Sequence, residues 1–202
     1  MTGRRADGQT NGDSPLFEYL LRQGDDRLVL GHRLSEWCGH GPILEEDIAT
    51  ANIALDLLGQ ATMFLRFAGE IEGQGRDEDA LAYWRDEREF RNLQLLELPR
   101  GDFGFSTVRL FLFSAFAYHH LDALARSTQP ELAGIAAKAH KEARYHLRHS
   151  AEWVLRLGDG TEESHRRAQA ALDACWPWTV ELFQPDHVDR SLHAAGIAPD
   201  LE

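Results

Sequence analysis

The chain has 202 residues, 43% of them apolar and 27% charged, which suits one globular domain with a substantial core. Its 33 acidic and 21 basic side chains leave a formal charge of −12, which argues against nucleic acid or an anionic membrane as the main partner. The most apolar run, Leu110–Tyr118, is too short to span a bilayer, and two widely separated cysteines suit a reduced, cytoplasmic protein.

Residues 1–14 are polar and glycine-bearing and are expected to form a disordered tail. Pro15 opens a first helix predicted to reach about Cys38. Phe17, Leu20, Leu21, Gly24, Leu28, Gly31, Ser35 and Cys38 share its inner face, where the small residues would admit a close neighbour. A second stripe, Leu30, Leu34 and Trp37, points elsewhere and calls for another helix or a partner protein. A turn at Gly39–Pro42 leads to a second helix from about Ile43 to Glu72, with Glu45, Glu46 and Asp47 where the helix dipole favours negative charge. Its expected core stripe is Leu44, Ile48, Ala51, Leu55, Leu58, Thr62 and Leu65. Asp56 interrupts the apolar middle of this helix. A buried carboxylate needs a partner, and an ion pair or hydrogen bond to a neighbouring helix is favoured over a metal ligand.

Residues 73–104 read as a charged connection holding one or two short helices, anchored by Trp84, Phe90, Leu93, Leu95 and Leu96. Arg100-Gly101-Asp102 matches an integrin tripeptide by letter only. A third helix, about Phe105–Ser127, is the most apolar segment, ringed by Phe111, Phe113, Phe116 and Tyr118, and one of its sides is expected in an interface. His119 and His120 diverge by about 100° and are read as solvated. A fourth helix from Pro130 to about Leu157 aligns Ile135, Ala139, Ala143, His146, Ser150, Trp153 and Leu157 on one face. Lys141, Arg144, Arg148 and Arg156 take the other side, and Glu142, His146 and His149 lie on or beside the inner face. Thr161 caps a fifth helix reaching about Trp176, which Pro177 ends. Trp176, Trp178, Leu182 and Phe183 form an apolar cluster, and Pro185-Asp186 opens a short helix to about Ala195. The expected fold is all-α: a bundle of about five long helices plus short ones, forming a single domain over 15–202.

A Glu with a nearby His on the inner face of a long helix is how ferritin-like bundles hold two irons, with two helices each giving one Glu and two each giving Glu-x-x-His. That spacing lets both side chains reach one ion. Here Glu142 is followed at the third position by Tyr145, and Asp56 by Gly59, so neither pair is intact. Zinc motifs, a phosphate loop and a nucleophile elbow are missing as well. The broken pairs point to a structural or regulatory chain. The competing reading is a metal-binding, ferritin-like oxygenase with an unconventional ligand set of Glu36, Asp56, Glu142 and His146.

Five segments in order, RLSEWCGHGP (33–42), LEEDIATANIALDLLGQA (44–61), RDEREFRN (85–92), AAKAHKEARYHLRHS (136–150) and WVLRLGDGTEES (153–164), resemble the C subunit of the ring-1,2-phenylacetyl-CoA epoxidase of bacteria. The similarity is collinear from about Arg22 to Ala198. The resemblance implies a ferritin-like bundle within a multicomponent monooxygenase that uses O2 and electrons from a separate reductase. It further implies two irons in a catalytic A subunit, none in this chain, and a structural role for this chain as the A subunit's pairing partner. Members of the family continue past the position of Glu202 with a further helical segment and a Gly/Lys-rich motif, so the resemblance implies that such a segment is lacking here. On this reading Asp56, Glu142 and His146, with Lys138, form an ion-pair replacement for iron. Leu30, Leu34 and Trp37, with the outer aromatics of the third helix, supply the partner surface. The same surface is expected to pair with a second copy when the chain is alone.

Overall fold

A computed structural model describes residues 14–201; the tail expected over 1–14 lies outside them apart from Ser14. Four long helices form the bundle: α1 (Pro15–Ser35), α2 (Leu44–Glu72), α5 (Phe103–Leu124) and α6 (Pro130–Gly158). Between them run the short α3 (Glu78–Tyr83) and α4 (Gln94–Glu97), and after them α7 (Glu162–Cys175) and α8 (His187–Ala194). The ferritin-like expectation holds, with four long helices and a medium fifth, and no strand is present among the described residues.

The α1–α2 hairpin is the tightest junction. Asp47 accepts a hydrogen bond from the Gly41 amide at 3.0 Å, which fixes the turn. A Cβ on Gly24 would sit 2.6 Å from Leu65 Cδ2, and one on Gly31 would sit 3.1 Å from Leu58 Cγ. These glycines let the two helices approach, as the sequence suggests. α1 also meets α5 through Tyr19 and His120, and in the turn after α1 the Trp37 indole donates to Ser106 Oγ at 2.9 Å and meets Phe103 edge-on. Because α1 is covered on more than one side, its second stripe faces inward. Leu30 and Leu34 are fully buried and Trp37 is half-buried. This corrects the expectation that Leu30, Leu34 and Trp37 form a partner surface. Ser35 and Cys38, expected inside, are exposed.

The phase of α2 also differs from expectation. Ile53, Ala54, Leu57, Ala61, Phe64 and Leu65 are buried, whereas Leu44, Ile48 and Leu55 face outward. The helix is apolar on nearly every side, so periodicity alone does not select the core face.

The charged connection is held down by charges as well as apolar side chains. Asp25 of α1 accepts bonds from the Arg85 guanidinium (Nη1 at 3.0 Å and Nη2) and from the Arg91 amide at 2.8 Å. Asp26 accepts from the Leu93 amide at 2.8 Å. Leu95 and Leu96 are fully buried as expected, but Trp84 is 84% exposed and anchors nothing. The Arg100-Gly101-Asp102 letters are structural: Gly101 has φ 67°, and Asp102 caps α5 by accepting from the Phe105 amide at 2.8 Å. Thr161 caps α7 through a reciprocal bond pair with Ser164, as its sequence predicts. Of the late aromatic cluster only Leu182 is buried; Trp176 and Phe183 stand out.

Candidate functional site

In a ferritin-like bundle the reactive centre lies where α1, α2, α5 and α6 face one another. In this chain that space holds a stack of polar side chains. Its centre is Arg27, which is buried and stacks its guanidinium 4.6 Å from the Phe64 ring centroid. Arg27 Nε donates to Gln60 Oε1 at 3.0 Å, and Nη1 donates to the Gln23 carbonyl at 2.7 Å and to Gln23 Oε1 at 3.2 Å. With its oxygen turned to Arg27, Gln60 presents its amide nitrogen to Glu142 Oε2 at 2.8 Å. One amide thus relays a cation on α1 to a carboxylate on α6. Burial lowers the Arg27 pKa to about 10, still far above neutral, so the charge is permanent.

Beside this layer His146 Nε2 meets Asp56 Oδ2 at 3.0 Å, and further along His149 Nε2 lies 3.2 Å from Glu46 Oε2. Both pairs bridge α2 and α6. On the other side the Tyr19 hydroxyl and His120 Nε2 are 2.9 Å apart, joining α1 to α5. Burial pushes the His120 pKa down to about 3 and raises that of the Tyr19 phenol. Both groups are therefore neutral at physiological pH.

The structure brings Asp56 and His146 together and sets Glu142 beside them on Gln60. Asp56 is less enclosed than expected, with 39% of its side chain exposed. Lys138 is not a member: it is exposed, with Nζ 3.8 Å from Met63 Sδ. Glu36 is remote and exposed, paired to Arg33 at 2.8 Å at the end of α1, so the unconventional ligand set built on it does not assemble. Of the two histidines read as solvated, His119 is exposed and His120 is buried.

The register of the broken ligand pair on α6 changes as well. His146 points inward while Tyr145 faces out, so the position three residues before the inward histidine is Ala143, also buried. The missing member is the carboxylate rather than the histidine. The residues present do not fit a two-iron centre. Among the described residues no three His, Cys, Asp or Glu side chains converge as a metal ion requires, and a guanidinium, which cannot ligate, occupies the middle layer. A cleft of about 550 Å³ opens elsewhere, between α5 and the Trp176–Phe183 turn. Phe116, Trp176 and Phe183 are among the side chains that line it, and among the described residues no lysine or arginine lines it to meet a coenzyme A phosphate.

Sequence reasoning misses Arg27, Gln60, Tyr19 and His120. One signal is available: Gln23-Gly24-Asp25-Asp26-Arg27 places polar residues on every side of a helix whose flanking turns are apolar.

A family model described as "Phenylacetic acid catabolic protein" matches residues 1–202. A curated relative, the C subunit of the 1,2-phenylacetyl-CoA epoxidase of Escherichia coli (strain K12), is 51% identical over 185 residues, which cover 92% of this chain and 74% of the relative.

Proposed function

The chain belongs to the phenylacetic acid catabolic protein family, and on that premise we propose that it is the non-catalytic, structural subunit of a multicomponent phenylacetyl-CoA 1,2-epoxidase. It pairs with a catalytic subunit of related fold that carries two irons and the substrate. It supplies a rigid surface against which the partner's helices are held. The same reading places it in the cytoplasm.

The observation that carries the reading is the central polar layer. Arg27, Gln60 and Glu142 are joined by hydrogen bonds across three helices, which supports reading this layer as a replacement for a metal. Iron chemistry, oxygen activation and the electrons from a reductase then belong to the partner. No side chain of this layer acts on the substrate.

The test is reconstitution with the catalytic subunit using the chain carrying Asp56→Ala, Glu142→Gln and His146→Gln together. Epoxidation within about threefold of wild type is expected once heteromer formation is matched. Complete loss of turnover in a folded, fully associated complex would overturn the proposal.

A further inference from the structure

Leu44, Ile48 and Leu55 are 72%, 53% and 65% exposed. Their spacing places them on one stripe of α2, opposite the face that packs the core. α2 is the one helix among the described residues long and apolar enough to cross a membrane, and only 39% of that window is buried. An apolar stripe left open on this scale marks a surface that something else covers.

Two observations say what covers it. The first is Gly59, which continues the stripe from Leu55 one turn further on. A glycine inside a helix is destabilising relative to alanine. Gly24 and Gly31 have a reason inside the chain, since α2 crowds them, but among the described residues a Cβ on Gly59 would meet nothing within 4 Å. Gly134 of α6 is open in the same way, but Gly59 alone of the two is set in an apolar stripe, where the open position admits close approach of another backbone. The second is charge. Lys138, Lys141, Arg144 and Arg148 form an exposed row along α6, the helix that adjoins α2 through Asp56–His146 and Gln60–Glu142. None of the four has an ion pair among the described residues, whereas Arg22, Arg66, Arg76 and Arg85 each do.

We infer that the outer face of α2, with the adjoining basic edge of α6, docks a helix of the catalytic subunit that is apolar along its contact, crosses closely at Gly59 and is bordered by carboxylates. The inference rests on the pairing proposed above and adds where the pairing occurs. A second copy fits less well, because each copy brings a net charge of −12. An anionic bilayer is disfavoured by the same charge and by Glu45 and Asp47 at the start of the stripe.

The experiment measures the dissociation constant of the full-length chain for the catalytic subunit, beside the melting temperature of the chain alone. Gly59→Gln improves helix propensity and is expected to leave the lone chain at least as stable while weakening association tenfold or more. Ile48→Asp with Leu55→Asp is expected to abolish association without unfolding the chain, since both positions are exposed. Lys141→Glu with Arg148→Glu is expected to weaken it and to flatten its salt dependence. If wild type binds the catalytic subunit and all three variants bind as tightly, the docking surface is wrong and the pairing stands. If wild type does not bind, the pairing and the surface fall together. If the variants abolish only a homodimer of the lone chain, or only binding to anionic phosphatidylserine vesicles, the occupant is a second copy or a membrane and the inference is overturned.

Discussion

Arg27 is where the chemistry of this bundle is decided. A buried guanidinium is tolerated only if its donors and its charge are answered; here Gln23 and Gln60 take its donors, Asp26 is its main charge partner, and Gln60 passes the chain of bonds on to Glu142. Gln60→Leu strands one donor of Arg27 and one oxygen of Glu142, and is expected to cost about 1–3 kcal/mol in chemical denaturation. Arg27→Met with Gln60→Leu removes both ends of the bond and is expected to cost less than the sum of the single changes. Additivity of the two would show that the bond does not exist.

His120 and Asp26 make the stability depend on pH in opposite directions. The fold holds the His120 pKa near 3 against 6.5 for an ordinary histidine. The folded chain therefore binds fewer protons than the unfolded chain between those values, and stability is lost as pH falls through that window. Burial pushes Asp26 up to about 7 from 3.8, so there the folded chain binds more protons and stability declines as pH rises from about 4 to 7. His120→Gln is expected to flatten the acid limb, and Asp26→Asn to remove the decline, by at most ~1.4 kcal/mol per pH unit. Stability curves from pH 3 to 8 that leave both slopes unchanged would contradict the assignment. None of this is legible from residue types alone. A charged side chain in sequence reads as solvated, and only the closure of α1 by its neighbours turns Asp25, Asp26 and Arg27 inward.

At the scale of the element, three glycines separate what the chain needs from what it leaves open. Gly24→Ala forces α1 and α2 apart, because its Cβ would lie 2.6 Å from Leu65, and a loss of about 1–3 kcal/mol is expected. Gly31→Ala, at 3.1 Å, is expected to cost less. Gly59→Ala has open space and is expected to stabilise the isolated chain by up to about 1 kcal/mol. Thermal denaturation of the three variants gives the order directly, and a destabilising Gly59→Ala would contradict the open face. The close α1–α2 approach is readable from the small residues on α1. The facing of α2 is not, because Leu44, Ile48 and Leu55 form as good a stripe as Ile53, Leu57 and Phe64, and nothing local distinguishes them. The connection misleads for a related reason. Its sequence offers Trp84 as an anchor, yet Asp25 and Arg85, each fully or nearly fully buried, hold it to α1. Asp25→Ala leaves a buried cation unpaired and is expected to cost about 3–5 kcal/mol.

For the whole molecule, the order of helices, their caps and the ferritin-like arrangement are legible, because long periodic segments and five collinear motifs agree. The pseudo-site is only half legible. Asp56, Glu142 and His146 stand out in the sequence, and they do lie together between α2 and α6. The cation that makes the site complete comes from α1, more than thirty positions away from Gln60 in sequence, and no local spacing announces it. On the proposed reading, a bundle whose core charge is built into the chain is expected to fold without metal, as suits a subunit that holds a surface in place.

The most direct test of that account is the iron content of the purified chain after expression with iron supplied. The account predicts no stoichiometric iron and a melting temperature unchanged by a chelator. About two irons per chain, lost together with stability on chelation, would contradict it and make the bundle a metal-bearing subunit.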